Sequence, residues 1–259
     1  MTTRLSGLVP LLPGVLLGGL VLITVNFETR LGRETQAQMS RETRRLADPV
    51  VVGYVREIGA ALARHAGGPK FPYSFDVADV RTINAFALPG GPVWVHRGAL
   101  AAARSEAEVA GILAHEIAHI AERHAAEQIS TRIVTSLGLT LLSALLGNDV
   151  GAGTAQVAAE ALAGGVLLKF SRDDEREADA AGAAMMRKAG WDPRGLVGFL
   201  EVLRATASRD PSAVEVFFST HPAPEDRIAV LGEHGRASAG PSRDSGRFPG
   251  VAARLRQAR

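Results

Sequence analysis

The feature that most constrains this fold is a short helical stretch in which ionisable residues stand inside an apolar turn. His115, Glu116 and His119 are surrounded in sequence by leucine, isoleucine and alanine at positions 113, 114, 117, 118 and 120. A helix that is apolar on every side belongs in the interior of a protein. Buried ionisable groups in turn need charged partners or a metal ion. The sequence therefore predicts a buried helix that carries a polar site.

Other segments supply the elements that would surround this helix. Ser105 with Glu108 three residues later is a capping-box pattern, which predicts a helix from there to about Ser130. Residues 32–63 carry apolar side chains three or four apart, which predicts more helix. Further predicted helices are residues 172–189 and 191–203, and the predicted strands are residues 73–77, 85–88 and 93–96. The last two strands flank a Pro-Gly-Gly-Pro hairpin signal, in which Pro92 favours an edge position for the strand it opens.

The two histidines have the spacing of a metal site. His115 and His119 are four residues apart, so both rings project from one helix face and can bind one ion. Glu116 is displaced from that face by about 100°, where its carboxylate can reach a water on the ion without being a ligand. Zinc polarises such a water and a scissile carbonyl while the carboxylate moves the proton, which is the chemistry of peptide hydrolysis. The chain has no cysteine, so histidine, aspartate and glutamate must supply every ligand.

A catalytic zinc needs a third protein ligand and one open position. The extended metzincin pattern would require glycine at 122 and histidine at 125, but the chain has Glu122 and Ala125. His124 lies about 140° round the helix from His119, which favours a capping or packing role. The acidic stretch at 173–179 offers Glu175 and Asp179 on a common helix face. Either carboxylate could bind the metal while the other orients a ligand histidine.

Four ordered motifs resemble a known family of zinc metallopeptidases. The motifs are Ile-Asn-Ala-Phe-Ala-Leu-Pro-Gly-Gly at 83–91, His-Glu-Ile-Ala-His at 115–119 with Arg-His at 123–124, the Phe-Ser-Arg to Glu-Ala-Asp stretch at 170–179, and Thr-His-Pro at 220–222. This order resembles the family of the HtpX heat-shock proteases and CAAX prenyl proteases, closest to its secreted BepA-type branch. The resemblance implies an α+β, predominantly α-helical, zincin-like domain with a small β-sheet or hairpin at the active-site edge.

The resemblance also implies residue roles and one Zn²⁺ per chain. Glu175 would be the third zinc ligand beside His115 and His119, and Asp179 would support the ligands. His221 would be a transition-state donor or an auto-inhibiting ligand, although a histidine before proline is otherwise an ordinary turn residue. An edge strand would pair with extended substrate, and it would consist of Asn84, Ala85, Phe86, Ala87 and Leu88.

The N-terminal segment predicts a membrane attachment. Residues 5–27 are almost wholly apolar and uncharged, and as a helix they would extend about 34 Å. Residues 1–31 are therefore predicted to be a signal-anchor or a signal peptide. The arginines that follow favour a cytoplasmic C-terminal side. The resemblance to the secreted branch implies instead an extracytoplasmic, periplasmic domain held at the inner membrane, or secreted if the segment is cleaved, and we adopt that expectation.

The remaining predictions concern domains and partners. The peptidase domain would span 32–234, with an apolar helical hairpin at 133–168, and residues 235–259 would form a disordered basic tail. Nucleic-acid binding is not expected, because 29 basic residues face 27 acidic ones and only 5% of residues are aromatic. The leading hypothesis is an endopeptidase that cuts unfolded or damaged proteins in envelope quality control. The alternative is a zinc-gated chaperone or assembly factor with low or latent proteolysis.

Overall fold

The computed structural model describes residues 21–145, 169–222, 225–235 and 243–257. The helices are α1 Val25–Glu42, α2 Pro49–Ala63, α3 Arg97–Ala102, α4 Glu106–Ala121, α5 His124–Leu145, α6 Arg172–Ala189, α7 Arg194–Ala207, α8 Glu215–Thr220, α9 Glu225–Gly235 and α10 Phe248–Gln257. The strands are β1 Ser74–Ala78, β2 Ala85–Ala87 and β3 Pro92–His96. The predicted α+β, mainly helical fold with a small sheet is confirmed.

Helix α4 is the centre of the domain. Its residues 108–121 are all buried, as the apolar turn around the histidines predicts. It packs most extensively against α6 and α7, and also against α2 and the sheet. Glycines allow these close approaches: a Cβ at Gly111 would lie 2.7 Å from Leu196 Cα, and one at Gly182 would lie 3.2 Å from the carbonyl carbon of Ala114. The contact at Gly182 holds α6 directly against the turn that carries His115, and the contact at Gly111 is with α7.

Helix α4 ends earlier than the sequence predicts. The Ser105 hydroxyl accepts a hydrogen bond from the amide of Glu108, as expected of the cap. The helix then stops at Ala121 rather than near Ser130, because Arg123 adopts a left-handed backbone with φ of 63°. A new helix, α5, begins at the next residue. This break turns Arg123 toward the buried Glu28 of α1, with which it forms an ion pair.

The sheet has the order β1-β3-β2, in which β1 is parallel and β2 antiparallel to β3. The hairpin of β2 and β3 is confirmed, but the edge position expected for the strand of Pro92 is wrong. Pro92 is the first residue of the central strand, where a missing N–H is tolerated. The carbonyls of Gly91 and Pro92 accept hydrogen bonds from Ser74 and Leu88 on opposite sides. Within the described ranges, β2 is one of the two edge strands.

Helix α6 follows the predicted bounds. The hydroxyl of Ser171 accepts from the amide of Asp174, and the Asp174 carboxylate accepts from the amide of Ser171, which completes a capping box. Gly190 ends the helix in a left-handed conformation with φ of 91°. Because both ends are specified locally, Glu175 and Asp179 lie four residues apart within one continuous helix and share a face.

The C-terminal segment is folded where the sequence predicts a disordered tail. Helix α10 buries Phe248, Val251 and Leu255 in the main core, packed against α2 and α3. The Ser245 amide donates to the buried carboxylate of Glu106 in α4. The prediction is therefore wrong for residues 243–257. Arginine, glycine and serine dominate the composition of the tail, but three apolar residues at helical spacing are enough when a core surface receives them.

Two predicted apolar segments fall largely outside the described ranges. Residues 1–20 of the proposed anchor and residues 146–168 of the proposed hairpin are among them. The described chain enters α1 at Val25, and α5 covers the hairpin as far as Leu145. None of the helices in the described ranges combines the length and the apolar character needed to cross a bilayer.

Candidate metal centre and active site

The fold brings four buried side chains from two helices and one helix end to a single point. On α4, the Nε2 atoms of His115 and His119 lie 3.0 Å apart. From α6, Glu175 approaches these two atoms at 3.4 and 3.5 Å. His221, at the end of α8, places its Nδ1 2.7 Å from Glu175 Oε1. One donor atom from each of the four lies within 4.8 Å of the others, and each side chain is buried.

The donor set fits zinc. Zinc–ligand distances of about 2.0–2.2 Å in a tetrahedron place neighbouring donor atoms about 3.4 Å apart, close to the distances among His115, His119 and Glu175. The charges of the buried groups also favour a metal cation. The carboxyl groups of Glu116, Glu175 and Asp179 are all buried near one buried guanidinium, that of Arg227. Ionised together they leave an excess of negative charge in a dry site, which a divalent cation would balance.

Glu116 lies beside this cluster without joining it. Its Oε1 is 3.7 Å from His221 Nε2, and its Oε2 is buried without a hydrogen-bond partner. Burial raises the pKa of the Glu116 carboxyl, although the nearby His221 and His115 rings oppose that rise. A carboxyl group with a raised pKa next to a metal site is suited to accept and return a proton.

Asp179 and Arg227 lie behind His115, on the side of its ring that faces away from the donor cluster. Asp179 Oδ1 lies 3.0 Å from His115 Nδ1, the ring atom that points away from the cluster. Arg227 of α9 donates two hydrogen bonds of 2.7 Å to the Asp179 carboxylate and also contacts Glu175. Burial alone would raise the pKa of Asp179, but these hydrogen bonds from Arg227 lower it. Sequence reasoning missed Arg227, because no local pattern marks an arginine six residues after His221.

A protein-family model covers most of this chain. The family model described as Peptidase family M48 matches residues 49–234, which include all of these side chains. The chain belongs to peptidase family M48. The predicted resemblance is thereby confirmed, and so are the metalloendopeptidase class and its zinc cofactor.

Individual M48 relatives agree with the family. The chain is 30% identical to the beta-barrel assembly-enhancing protease of Escherichia coli K12 over 80% of this chain and 43% of that protein. It is 32% identical to the mitochondrial metalloendopeptidase OMA1 of Schizosaccharomyces pombe over 82% of this chain and 62% of that protein. It is 28% identical to the metalloprotease YcaL of E. coli K12 over 76% of this chain and 71% of that protein. The chain spans less than half the length of the assembly-enhancing proteases that it matches.

In this M48 site the pKa values of the two α4 histidines are shifted in opposite directions. Burial disfavours protonation of His115, but Asp179 and Glu175 outweigh it and raise the pKa of that ring to about 9. Burial lowers the pKa of His119 well below its usual value, against a weaker opposing effect of Glu175. For Glu175, burial would raise the pKa, but the three surrounding histidine rings lower it, so this carboxylate stays ionised. A neutral His119 beside an ionised Glu175 is the state that a metal ion requires.

Aromatic rings close the M48 site from solvent. Phe170 stacks on His119 with ring centroids 3.9 Å apart, and Phe217 stacks on His221 at 4.7 Å. The amide of Phe170 also donates to the carbonyl of Thr220, which ties the segment before α6 to the residue before His221. The cluster is no more than 3% exposed at any of its four residues. In this conformation the site is closed.

The predicted substrate strand lies next to the site. Strand β2 packs against α4, and Ala87, Leu88, Pro89 and Gly90 line a narrow crevice that reaches His119. Asn84, immediately before β2, is 1% exposed, and its side-chain oxygen has no hydrogen-bond partner. His124 is not among the four clustered donors, but the reason expected from helical spacing does not apply, because α4 ends before His124.

Proposed function

We propose that this chain is a zinc-dependent endopeptidase that cleaves unfolded or damaged proteins in the quality control of the cell envelope. The observation that carries the proposal is the convergence of His115, His119 and Glu175 on one point with Glu116 beside it. The name of the matched E. coli relative, an assembly-enhancing protease, supports a role in the assembly or maintenance of envelope proteins.

The proposed roles follow from position. His115, His119 and Glu175 would hold the ion, which when bound supplies Lewis-acid activation of a water and a peptide carbonyl. Glu116 takes the proton from the attacking water and returns it to the leaving amine. Asp179 orients the ring of His115, and Arg227 keeps Asp179 ionised and in place.

Substrate is proposed to bind as an added strand on β2. In the described ranges, the side of β2 away from β3 carries no partner strand, so its backbone can pair with an extended peptide. The side-chain oxygen of Asn84 is proposed to accept a hydrogen bond from a substrate amide; its burial without a hydrogen-bond partner supports this role. Unfolded proteins are the proposed substrates because their chains readily supply extended segments for such pairing.

Metal removal tests the zinc dependence of the proposal. Treatment with a chelator is expected to lower hydrolysis of casein by about 100-fold or more, and Zn²⁺ should restore it at one ion per chain. His115→Ala is expected to lose both the bound zinc and the activity, because it removes a ligand that Asp179 orients. Metal analysis and a casein assay measure these effects. The matched control is His65→Ala, since His65 is exposed and outside the cluster; loss of zinc in that variant, or retention in His115→Ala, contradicts the assignment.

A second candidate is a zinc-gated chaperone or assembly factor whose proteolysis is latent. The observation that favours it is the closed site, in which His221 stands among the candidate ligands. A histidine at the open metal position would block the attacking water until it moved away. Complete rescue of a deletion strain by a proteolytically inactive variant would favour this candidate over the first.

Substitution of His221 distinguishes an inhibitory metal ligand from a hydrogen-bond donor to the transition state. If His221 holds the enzyme closed, His221→Ala is expected to raise hydrolysis about tenfold or more. A tenfold rise corresponds to a loss of about 1.4 kcal/mol from the stability of the closed state relative to the open one. If His221 donates a hydrogen bond in the transition state, hydrolysis should instead fall about 10²–10³-fold. A casein assay on zinc-loaded protein measures the direction. The first result supports latency, and the second supports a constitutive endopeptidase.

We further propose that the catalytic domain is extracytoplasmic and held at the inner membrane by the N-terminal segment. The apolar, uncharged run of residues 5–27 supports attachment, and similarity to the assembly-enhancing proteases supports the orientation. C-terminal fusions to two reporters, one active only in the cytoplasm and one only outside it, test the orientation. Activity of the cytoplasmic reporter alone would overturn it.

A further inference from the structure

The outward nitrogen of His119 has a partner that the proposed mechanism does not use. The Nδ1 atoms of His119 and His124 lie 2.9 Å apart, within hydrogen-bond distance. His124 is 2% exposed and is the first residue of α5, directly after the left-handed turn at Arg123. Because that turn replaces a continued helix, His124 returns toward His119 rather than pointing away from it. The contact thus depends on a backbone feature that helical spacing does not predict.

The positions of the protons follow from the geometry. His119 Nε2 faces His115 Nε2 at 3.0 Å and Glu175 Oε1 at 3.5 Å, so it is the atom that must be free of a proton to bind metal. A neutral imidazole then carries its proton on Nδ1. That N–H can donate to His124 Nδ1, which must accept. The proton of His124 consequently lies on Nε2, 3.4 Å from the carboxylate of Glu177.

We propose that His124 is a positioning residue that fixes the tautomer and the ring orientation of His119 for zinc binding. The inference rests on the proposed zinc site. It assigns to that site a second residue, after Asp179, that contacts a ligand histidine and not the metal. His115 is oriented by the buried carboxylate of Asp179, whereas His119 is oriented by a neutral ring whose own partner, Glu177, is 61% exposed. Phe170 stacks on the face of His119, so rotation of that ring is restrained by stacking and by the hydrogen bond together.

Two substitutions of His124 distinguish a hydrogen-bonding role of its ring from a packing role. In His124→Asn the side-chain oxygen can occupy the place of Nδ1, because both atoms are bonded to the same carbon of the side chain, and the acceptor is kept. In His124→Leu a side chain of similar branching has no acceptor. The affinity of the full-length chain for Zn²⁺ is measured by competition with a chromophoric chelator. We expect affinity to fall about 10–100-fold in His124→Leu and to stay within about threefold of wild type in His124→Asn.

Two results of this comparison would overturn the role. An affinity of His124→Leu within about threefold of wild type would mean that His119 needs no outer acceptor. Equal losses in both variants would mean that the imidazole ring acts by packing alone.

A spectroscopic measurement keeps the inference testable even if His124→Leu fails to fold. Long-range ¹⁵N–¹H spectra of the zinc-loaded wild type report which ring nitrogen of each histidine carries a proton. The signals of His119 are identified by their through-space contacts to Phe170, which stacks on that ring. We expect a protonated Nδ1 and a metal-bound Nε2 in His119, unchanged in His124→Asn. A protonated Nε2 would contradict the role of His124 alone. A wild-type chain that binds no Zn²⁺ would instead contradict the proposed function, so the two failures are distinguishable.

Discussion

Replacement of Glu116 by glutamine is expected to lower peptide-bond hydrolysis by about 10²–10⁴-fold while zinc remains bound. The amide has nearly the shape of the carboxyl group but cannot take a proton from water. Zinc should stay, because Glu116 lies beside the cluster and contributes no atom to the group of four donors. Casein hydrolysis and metal analysis on the same preparation measure the two effects separately.

The matched control for this prediction is Glu122→Gln. Glu122 stands six residues later, at the exposed end of α4, and is expected to leave both hydrolysis and zinc content unchanged. Retention of more than about a tenth of wild-type hydrolysis in Glu116→Gln would refute its role as the general base. Full function of the same inactive variant in a deletion strain would favour the chaperone candidate instead.

Replacement of Leu255 by alanine is expected to lower the free energy of unfolding by about 2–5 kcal/mol. Leu255 is 3% exposed and packs in the main core with Phe248 and Val251, so the substitution leaves a cavity under α10. For a domain of this size the melting temperature should fall by about 4–20 °C. Thermal unfolding followed by circular dichroism measures the change.

The adjacent Arg256 provides the control for Leu255. Arg256 is exposed on the same helix, and Arg256→Ala is expected to change the free energy of unfolding by less than about 0.5 kcal/mol. A melting temperature of Leu255→Ala equal to that of Arg256→Ala would mean that the C-terminal segment does not pack in solution. That result would restore the disordered tail that composition predicts.

These two predictions differ in how much of their basis is visible in the sequence. The position of Glu116 follows from helix geometry alone, because residues one and four apart on a helix have fixed angular relations. The limits of α6 are also visible, since Ser171 and Gly190 specify its ends locally. The burial of Leu255 is not visible, because a short apolar stripe is amphipathic in any context and becomes core only when α2 and α3 present a matching surface.

The same distinction applies to the sheet. Two strands around a Pro-Gly-Gly-Pro turn predict a hairpin, because turn chemistry acts over a few residues. The position of β3 between β1 and β2 depends on a parallel pairing with Ser74–Ala78, which no local signal encodes. Pro92 is compatible with either position as the first residue of its strand, so its presence could not decide the order.

We can predict from the sequence alone both the helix that carries His115, Glu116 and His119 and the burial of that helix. Short-range spacing and the apolar turn suffice for both, because they depend on residues within one or two helical turns. The contacts made by more distant groups become visible only in the folded chain. Arg227 donates to Asp179, and His124 contacts the outward Nδ1 of His119. Those contacts depend on the packing of the helices and on the left-handed backbone of Arg123. Neither of these produces a periodic pattern in the sequence.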